Sequence, residues 1–266
     1  MSSKLEQLKA SLTYLQKVLI AFSGGVDSTF LLKVARDILG KDNVLAVIAE
    51  SPTYPSDEVK WAEDLAKKLD VNYKIIQTDE FSNEKFISNP KERCYYCKSE
   101  LFSKLKQIAK ENNIPHVLDG SNYDDKSDYR PGTQAKCELE VKSPLLDLEF
   151  TKKDIRGASK ELNLPTWDKP SYACLASRIP YGTQITPEIL KRVEEGEKFL
   201  LSLGFKQLRV RHHGDIVRIE VDQDSLPDVV QDEVRDEIAK KFEQLGYTYV
   251  TFDLKGYRTG SMNETL

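Results

Sequence analysis

Leu5, Leu8, Leu12 and Leu15 recur at helical spacing, so the pattern predicts a short amphipathic helix over residues 4–16. An unbroken apolar run follows, Val18-Leu19-Ile20-Ala21-Phe22, of the kind buried on both faces in a parallel sheet. A second helix is predicted over residues 29–39, stopped by Gly40. Residues 44–49 read as another buried strand. A helix over 56–69 follows, with Val59, Ala62, Leu65, Ala66 and Leu69 on one face, and then a strand over 73–77. Alternating strands and helices of this kind point to a parallel α/β sheet with right-handed crossovers. Residues 79–97 read as irregular, 98–112 as a helix, 116–120 as a fourth strand ending at Gly120, and 121–134 as a polar surface loop. Ser143-Pro144-Leu145-Leu146 reads as a short buried segment. Thr151 and Asp154 form an acidic capping box for a helix over 151–162.

Residues 165–181 lack any period, which favours a site over a core. Past Thr186-Pro187 the pattern changes. A helix over 187–203, strands near 207–212 and 216–221, one or two helices within 225–245 and a strand over 247–253 predict a small α+β domain. The expected fold is thus α/β: a Rossmann-like parallel sheet flanked by helices over residues 1–180, with a smaller C-terminal α+β domain over 181–266 for substrate binding and oligomerisation.

Composition narrows the function more than the fold. The 266 residues carry 39 basic and 43 acidic side chains, a formal charge of −4. That balance disfavours a broad nucleic-acid binder, though a local basic patch stays open. No apolar run reaches bilayer length, and Lys4, Glu6 and Lys9 among the first leucines are unlike a signal peptide. A cytoplasmic protein without membrane partners is expected. There a disulfide framework is disfavoured, so Cys94, Cys97, Cys137 and Cys174 need another explanation.

The strongest chemical signal is Ser23-Gly24-Gly25-Val26-Asp27-Ser28 between a buried strand and a helix. Glycines allow close backbone approach, and successive N–H groups at a helix start bind anions. Ser23 and Ser28 add hydroxyl donors. Asp27 repels phosphate unless a cation intervenes, and a Mg²⁺ bridging carboxylate and phosphate resolves the conflict. The loop lacks the Gly-Lys-Ser/Thr of a Walker A motif. Cys94-Tyr95-Tyr96-Cys97 beside a helix suits a redox pair, half a zinc site or part of an iron–sulfur site. Zinc lacks a second ligand pair, and a thioredoxin-like context is missing.

The loop resembles the pyrophosphate loop of the N-type ATP pyrophosphatases, which include GMP, NAD, asparagine and argininosuccinate synthetases and tRNA thiolation enzymes. Such proteins cleave ATP between the α- and β-phosphates and adenylate an oxygen of the substrate. The resemblance places Ala21, Phe22, Ser23, Gly24, Gly25, Asp27, Ser28, Ala49 and Gly120 at the ATP. With Asp128-Tyr129-Arg130-Pro131-Gly132 and the segment Pro170 to Gly182 around Cys174, the whole chain resembles the LarE family. LarE proteins are ATP-dependent sulfur transferases. They convert carboxylates of pyridinium-3,5-biscarboxylic acid mononucleotide to thiocarboxylates for the nickel-pincer cofactor of lactate racemase.

One branch sacrifices a cysteine, and another carries three cysteines, as Cys94, Cys97 and Cys174 do here. The resemblance therefore implies a [4Fe–4S] cluster held by these three, with a sacrificial Cys174 as the alternative; Cys137 matches no motif. It implies Lys98 at a phosphate or the adenylate, and Ser177, Arg178, Arg209 and Arg211 at the substrate. It also implies a divalent cation near Glu197, Glu220 and Asp228, a homo-oligomer, and transfer of product to the nickel-inserting protein. A tRNA thiolation enzyme, an ammonia-using ligase and a non-catalytic nucleotide-binding or sulfur-carrier module are the rival readings. The ligase leaves the cysteines without a purpose, and Asp27 argues against the last.

Overall fold

The computed structural model describes residues 2–127, 131–170, 174–258 and 260–264. Asp128, Tyr129 and Arg130, and Ser171, Tyr172 and Ala173, which contribute to the LarE resemblance, lie outside the described residues. The chain divides into two compact units: Met1–Phe86 with Pro90–Tyr172, and Ile87–Asn89 with Ala173–Leu266. No helix among the described residues is long and apolar enough to cross a membrane.

Among the described residues, the first unit is built on four strands and eight helices. In chain order these are α1 (Ser2–Leu15), β1 (Val18–Ala21), α2 (Val26–Leu39), β2 (Val44–Glu50), α3 (Ser56–Lys68), β3 (Asn72–Gln77), α4 (Glu84–Ile87), α5 (Arg93–Glu111), β4 (His116–Leu118), α6 (Gly132–Glu138), α7 (Pro144–Asp147) and α8 (Lys152–Glu161); the last residue of α4 belongs to the second unit. All strand pairs are parallel, in the order β3-β2-β1-β4. The chain runs outward from β1 through β2 to β3, then returns to the other side of β1 as β4. The carboxyl end of β1 is therefore the switch point of the sheet, where open α/β folds bind ligands. Residues 22–28 leave the strand there.

Period two along β1 serves both faces of the sheet. Val18 and Ile20 join a core with Leu8 and Leu12 of α1, Phe30 and Leu31 of α2, Leu65 of α3 and Ile155 of α8. Leu19 turns the other way, toward Phe102 and Leu105 of α5. Leu8 and Leu12 are completely buried, each contributing roughly 1.5–3 kcal/mol; Leu12→Ala is the change that would loosen α1. The capping box of α8 forms as its sequence predicts: Asp154 N donates to Thr151 Oγ1, and Thr151 N donates to Asp154 Oδ2.

Two segments differ from their sequence reading. Residues 79–97 are not irregular throughout: they contain α4 and the opening turn of α5, so Cys94 and Cys97 sit inside a helix. Residues 132–134, the end of the segment read as loop, open α6. Pro131 starts α6 by supplying helical φ at its N-cap, a role that resembles loop composition when seen only in sequence.

The second unit follows with α9 (Pro187–Ser202), β5 (Leu208–His213), β6 (Ile216–Val221), α10 (Leu226–Val229), α11 (Asp232–Gln244) and β7 (Tyr249–Phe252). β5 and β6 are antiparallel, while β6 and β7 are parallel. Thr186 caps α9 by accepting from Ile189 N. Gly196 of α9 is required by packing: a Cβ there would stand 2.6 Å from the Phe242 ring of α11. Asn89, fully buried, ties its short segment into this unit by donating to the carbonyls of Pro180 and Thr183, at 2.8 and 3.0 Å.

Candidate active site

The loop after β1 is shaped by what cannot fit around it. Gly24 has φ +67°, and a Cβ on it would meet Ala62 and Trp61 of α3 at 3.0 Å. Gly120, just beyond β4, would place a Cβ 2.9 Å from the backbone nitrogen of Ser28. Two strands and two glycines thus bring the backbone tightly against the start of α2, leaving a concave turn of N–H groups at a helix N-terminus. Ser23 and Ser28 face each other across it, their hydroxyl oxygens 3.1 Å apart. Ser28 N lies behind Gly120, and Gly25 N donates to Ser23 Oγ at 3.4 Å. Ala49 stands at the end of the neighbouring strand β2. Beyond it Ser51 and Thr53 donate to Oε1 of the buried Glu80, at 2.5 and 2.9 Å.

Asp27 occupies the first turn of α2. Its Oδ2 accepts from Lys152, the first residue of α8, and from Asn122 Nδ2 at 3.3 Å. Burial pushes its carboxyl above the usual carboxylate range. Lys152 and Asn122 oppose that shift, and the neighbouring Asp125 adds to it. Its other oxygen, Oδ1, is buried without a hydrogen-bond partner. A buried carboxylate oxygen with nothing to bind fits a hard cation, so Mg²⁺ suits Asp27. Lys152 and Asn122 were not singled out in the sequence. The only hint was their place, one beside a helix cap and the other two residues past a strand-ending glycine.

At the carboxyl end of β4 a second buried pair braces the same region. Asp119 accepts from Ser121 at 2.7 Å and from Ser143 at 2.5 Å, and lies 3.3 Å from Lys136 of α6. The helix that sequence reading missed therefore delivers a buried cation to the turn carrying Gly120.

Cys94 and Cys97 lie three residues apart on the first turns of α5, so they share one face of the helix. Cys94 is exposed and Cys97 partly so. Lys98 follows, its ammonium 5.4 Å from the Phe102 ring centroid, and the start of α6 packs closely beside it at Gly132. Two thiols on one exposed helical face fit two ligands of an iron–sulfur cluster. Cys137 is exposed on α6.

In the second unit Cys174 opens a short 3-10 turn, Leu175–Arg178. Buried arginines hold that turn by its carbonyls. Arg178, with no exposure, forks onto Glu197 at 2.8 and 3.0 Å and donates to Cys174 O at 3.2 Å and Ser177 Oγ at 2.9 Å. Arg211 forks onto Glu220 at 3.1 and 2.8 Å and donates to Ser177 O at 3.2 Å and to Ser261 Oγ at 2.9 Å. Arg209 is also buried, its guanidinium 4.9 Å from the Tyr257 ring centroid. Burial, with the charge of Arg178 nearby, lowers its pKa.

The sequence-predicted residues thus form three groups. Ser23, Gly24, Gly25, Asp27, Ser28 and Gly120 come together. Cys94, Cys97 and Lys98 share a turn. Cys174, Ser177 and Arg178 share another, which Arg211 of β5 touches through Ser177 O. Glu197, Glu220 and Asp228 are not gathered: the first two are taken by arginines, and Asp228 accepts from Gln231 at 3.3 Å on the surface. Among the described residues, no three His, Cys, Asp or Glu side chains are grouped to hold a metal ion.

A parallel sheet with a glycine loop and a helix-start aspartate at its switch point defines an α/β nucleotide-binding protein of the pyrophosphate-loop type. A family model described as NAD synthase matches residues 4–116. The chain is 41% identical over 266 residues to the pyridinium-3,5-bisthiocarboxylic acid mononucleotide synthase of Lactiplantibacillus plantarum, covering 100% of this chain and 96% of that protein. It is 43% identical over its whole length to an uncharacterized protein of Synechocystis, covering 99% of it. More distantly, it is 31% identical over 169 residues to a glutamine-hydrolyzing GMP synthase chain of Thermoplasma volcanium, across 58% of this chain and 54% of that one. The chain belongs to the LarE family, that of the pyridinium-3,5-bisthiocarboxylic acid mononucleotide synthase.

Proposed function

We propose that the protein is an ATP-dependent sulfur transferase. It converts the carboxylates of pyridinium-3,5-biscarboxylic acid mononucleotide to thiocarboxylates, releasing AMP and pyrophosphate. The observation that carries this reading is the full-length similarity to a pyridinium-3,5-bisthiocarboxylic acid mononucleotide synthase in a chain whose Asp27 keeps a buried, unpartnered oxygen at the phosphate loop.

The N–H groups of residues 24–28, with the Ser23 and Ser28 hydroxyls, cradle the phosphates, and Asp27 would hold a Mg²⁺ that offsets their charge. Ala21, Phe22 and Ala49 border the nucleoside. A substrate carboxylate attacks the α-phosphate, giving an acyl adenylate and pyrophosphate. Lys98 steadies the charge on the adenylate, and Ser177 and Arg209 bind the substrate phosphate. Arg178 and Arg211 fix the Cys174 turn through its carbonyls. Sulfur then displaces AMP.

Cys94, Cys97 and Cys174 would hold a [4Fe–4S] cluster. Such a cluster supplies an iron with an open position for sulfide. We place the enzyme in the cytoplasm as a homo-oligomer that passes its product to the nickel-inserting protein.

The decisive assay is pyrophosphate release from ATP on adding the dicarboxylate nucleotide; release that ignores this substrate rejects the reading. Cys94→Ala should leave pyrophosphate release intact while limiting sulfur transfer to a single round at most. Anaerobic reconstitution should give about four irons per chain, lost in that variant. Absence of iron would instead assign the sulfur to Cys174 itself, seen as dehydroalanine by mass after one turnover.

A further inference from the structure

The carbonyl of Gly24 is held from outside the phosphate loop by two donors. Trp61 Nε1 of α3 donates to it at 3.0 Å, and the Lys169 ammonium lies 3.5 Å away. Lys169 is fixed in turn by Glu58 of α3 at 2.7 Å, and it stands 4.7 Å from the Trp61 ring centroid. Glu58 and Trp61 are three residues apart on one helix, so they share a face. The assembly is not explained by core packing. Trp61 is 37% exposed, whereas the Lys169 side chain is only 13% exposed, and burial lowers its pKa against the pull of Glu58.

A peptide between two glycines can rotate freely. If the Gly24–Gly25 peptide turned over, the Gly24 carbonyl would point into the anion site and the Gly25 N–H out of it. In the structure the carbonyl points out to two donors while Gly25 N points inward to Ser23 Oγ. We propose that Trp61, Lys169 and Glu58 are positioning residues, which lock the Gly24–Gly25 peptide in the orientation that presents its N–H, that of Gly25, to ATP phosphates. The proposal rests on the nucleotide reading above. It assigns a role in ATP binding to residues that touch no reacting atom.

The test uses the full-length chain and measures Mg–ATP binding by calorimetry, beside the thermal midpoint. Trp61→Phe keeps the ring and removes the donor, and should weaken ATP about fivefold; Lys169→Met should weaken it about tenfold. Lys169→Arg should restore affinity to within about twofold of the wild type, since a guanidinium reaches both Glu58 and a carbonyl. The protein has two tryptophans. In a Trp167→Phe background, Trp61 emission should therefore shift when ATP binds. Variants that bind ATP as the wild type does would overturn the proposal. So would a loss that arginine does not restore and that tracks a fallen thermal midpoint, or an emission blind to bound ATP. A wild-type protein that binds no ATP at all would instead remove the nucleotide reading, and this inference with it.

Discussion

Carboxylates meet cations in both units, and the two arrangements are opposite in kind. In the first unit, Asp27 meets Lys152 through one oxygen and leaves the other buried and unpartnered. Lys152 is a flexible side chain, 36% exposed. In the second unit, Glu220 has no exposure, and all of its partners are internal: a forked Arg211, Arg218 at 3.2 Å and Ser261 Oγ at 2.7 Å. Glu197 is similar, forked by Arg178 and accepting from Val210 N at 3.2 Å. An ion pair with an empty oxygen can exchange its partner for a metal and phosphate. A forked pair with every oxygen taken has nothing to exchange, and its planar geometry fixes whatever else the guanidinium touches. What these guanidiniums touch is the backbone on either side of the Cys174 turn. The contrast therefore separates a carboxylate with one oxygen left unengaged from carboxylates whose oxygens are all taken.

The sharpest way to break that contrast is to remove one member of each kind. Asp27→Ala should reduce substrate-dependent pyrophosphate release by about 10³-fold, the scale of losing a preorganised electrostatic contact to the reacting phosphates. Its thermal midpoint should stay close to that of the wild type, because the lost carboxylate was already poorly satisfied. An unfolded Asp27→Ala protein would show that this aspartate holds the fold rather than the ligand.

Glu220→Ala should act in the reverse manner. It leaves Arg211 buried without its carboxylate, a change costing about 3–5 kcal/mol. Urea unfolding followed by a probe in the second unit should show that loss. Mg–ATP binding, which we assign to residues of the other unit, should persist wherever the protein remains folded. A Glu220→Ala protein of unchanged stability would mean that the Arg211 fork contributes little, and the comparison would collapse.

Much of the first kind of site was legible in the sequence, and almost none of the second. Ser23 to Ser28 announced itself because glycines between a buried strand and a helix have few other uses, and because Asp27 is anomalous among phosphate donors. The parallel sheet was legible for the same reason: Val18 to Phe22 and Val44 to Ala49 are apolar without interruption. The capping box of Thr151 and Asp154 is local, so sequence distance did not hide it. The Arg–Glu pairs join positions 19 and 9 residues apart, with no local rule connecting them. In a chain with 82 charged residues, each reads as solvated surface or, by resemblance, as a ligand contact. Lys152 and Lys169 were invisible for a similar reason, since a lysine near a helix end is ordinary until the fold shows what lies opposite. The start of α5 was missed because Cys94, Tyr95, Tyr96 and Cys97 show no apolar period, and α6 because Pro131 and Gly132 imitate a loop.

The smallest expected effect sharpens the contrast by pH. Burial raises the Asp27 carboxyl above its ordinary value of 3.8, with Lys152 and Asn122 opposing it incompletely. The folded protein therefore keeps a proton there to higher pH than the unfolded chain does. Between the two values the native state binds more protons, so the Asp27 contribution to stability falls as pH rises through that window. Asp27→Asn cannot ionise and lacks this dependence. In urea unfolding from pH 7 downward, the wild type should gain on Asp27→Asn as pH approaches 4, with a difference smaller than either effect above. The opposite trend, with the wild type losing ground on acidification, would mean that Lys152 satisfies Asp27 as fully as Arg211 satisfies Glu220. The two carboxylates would then be of one kind, and the unpartnered oxygen of Asp27 would not mark a cation site.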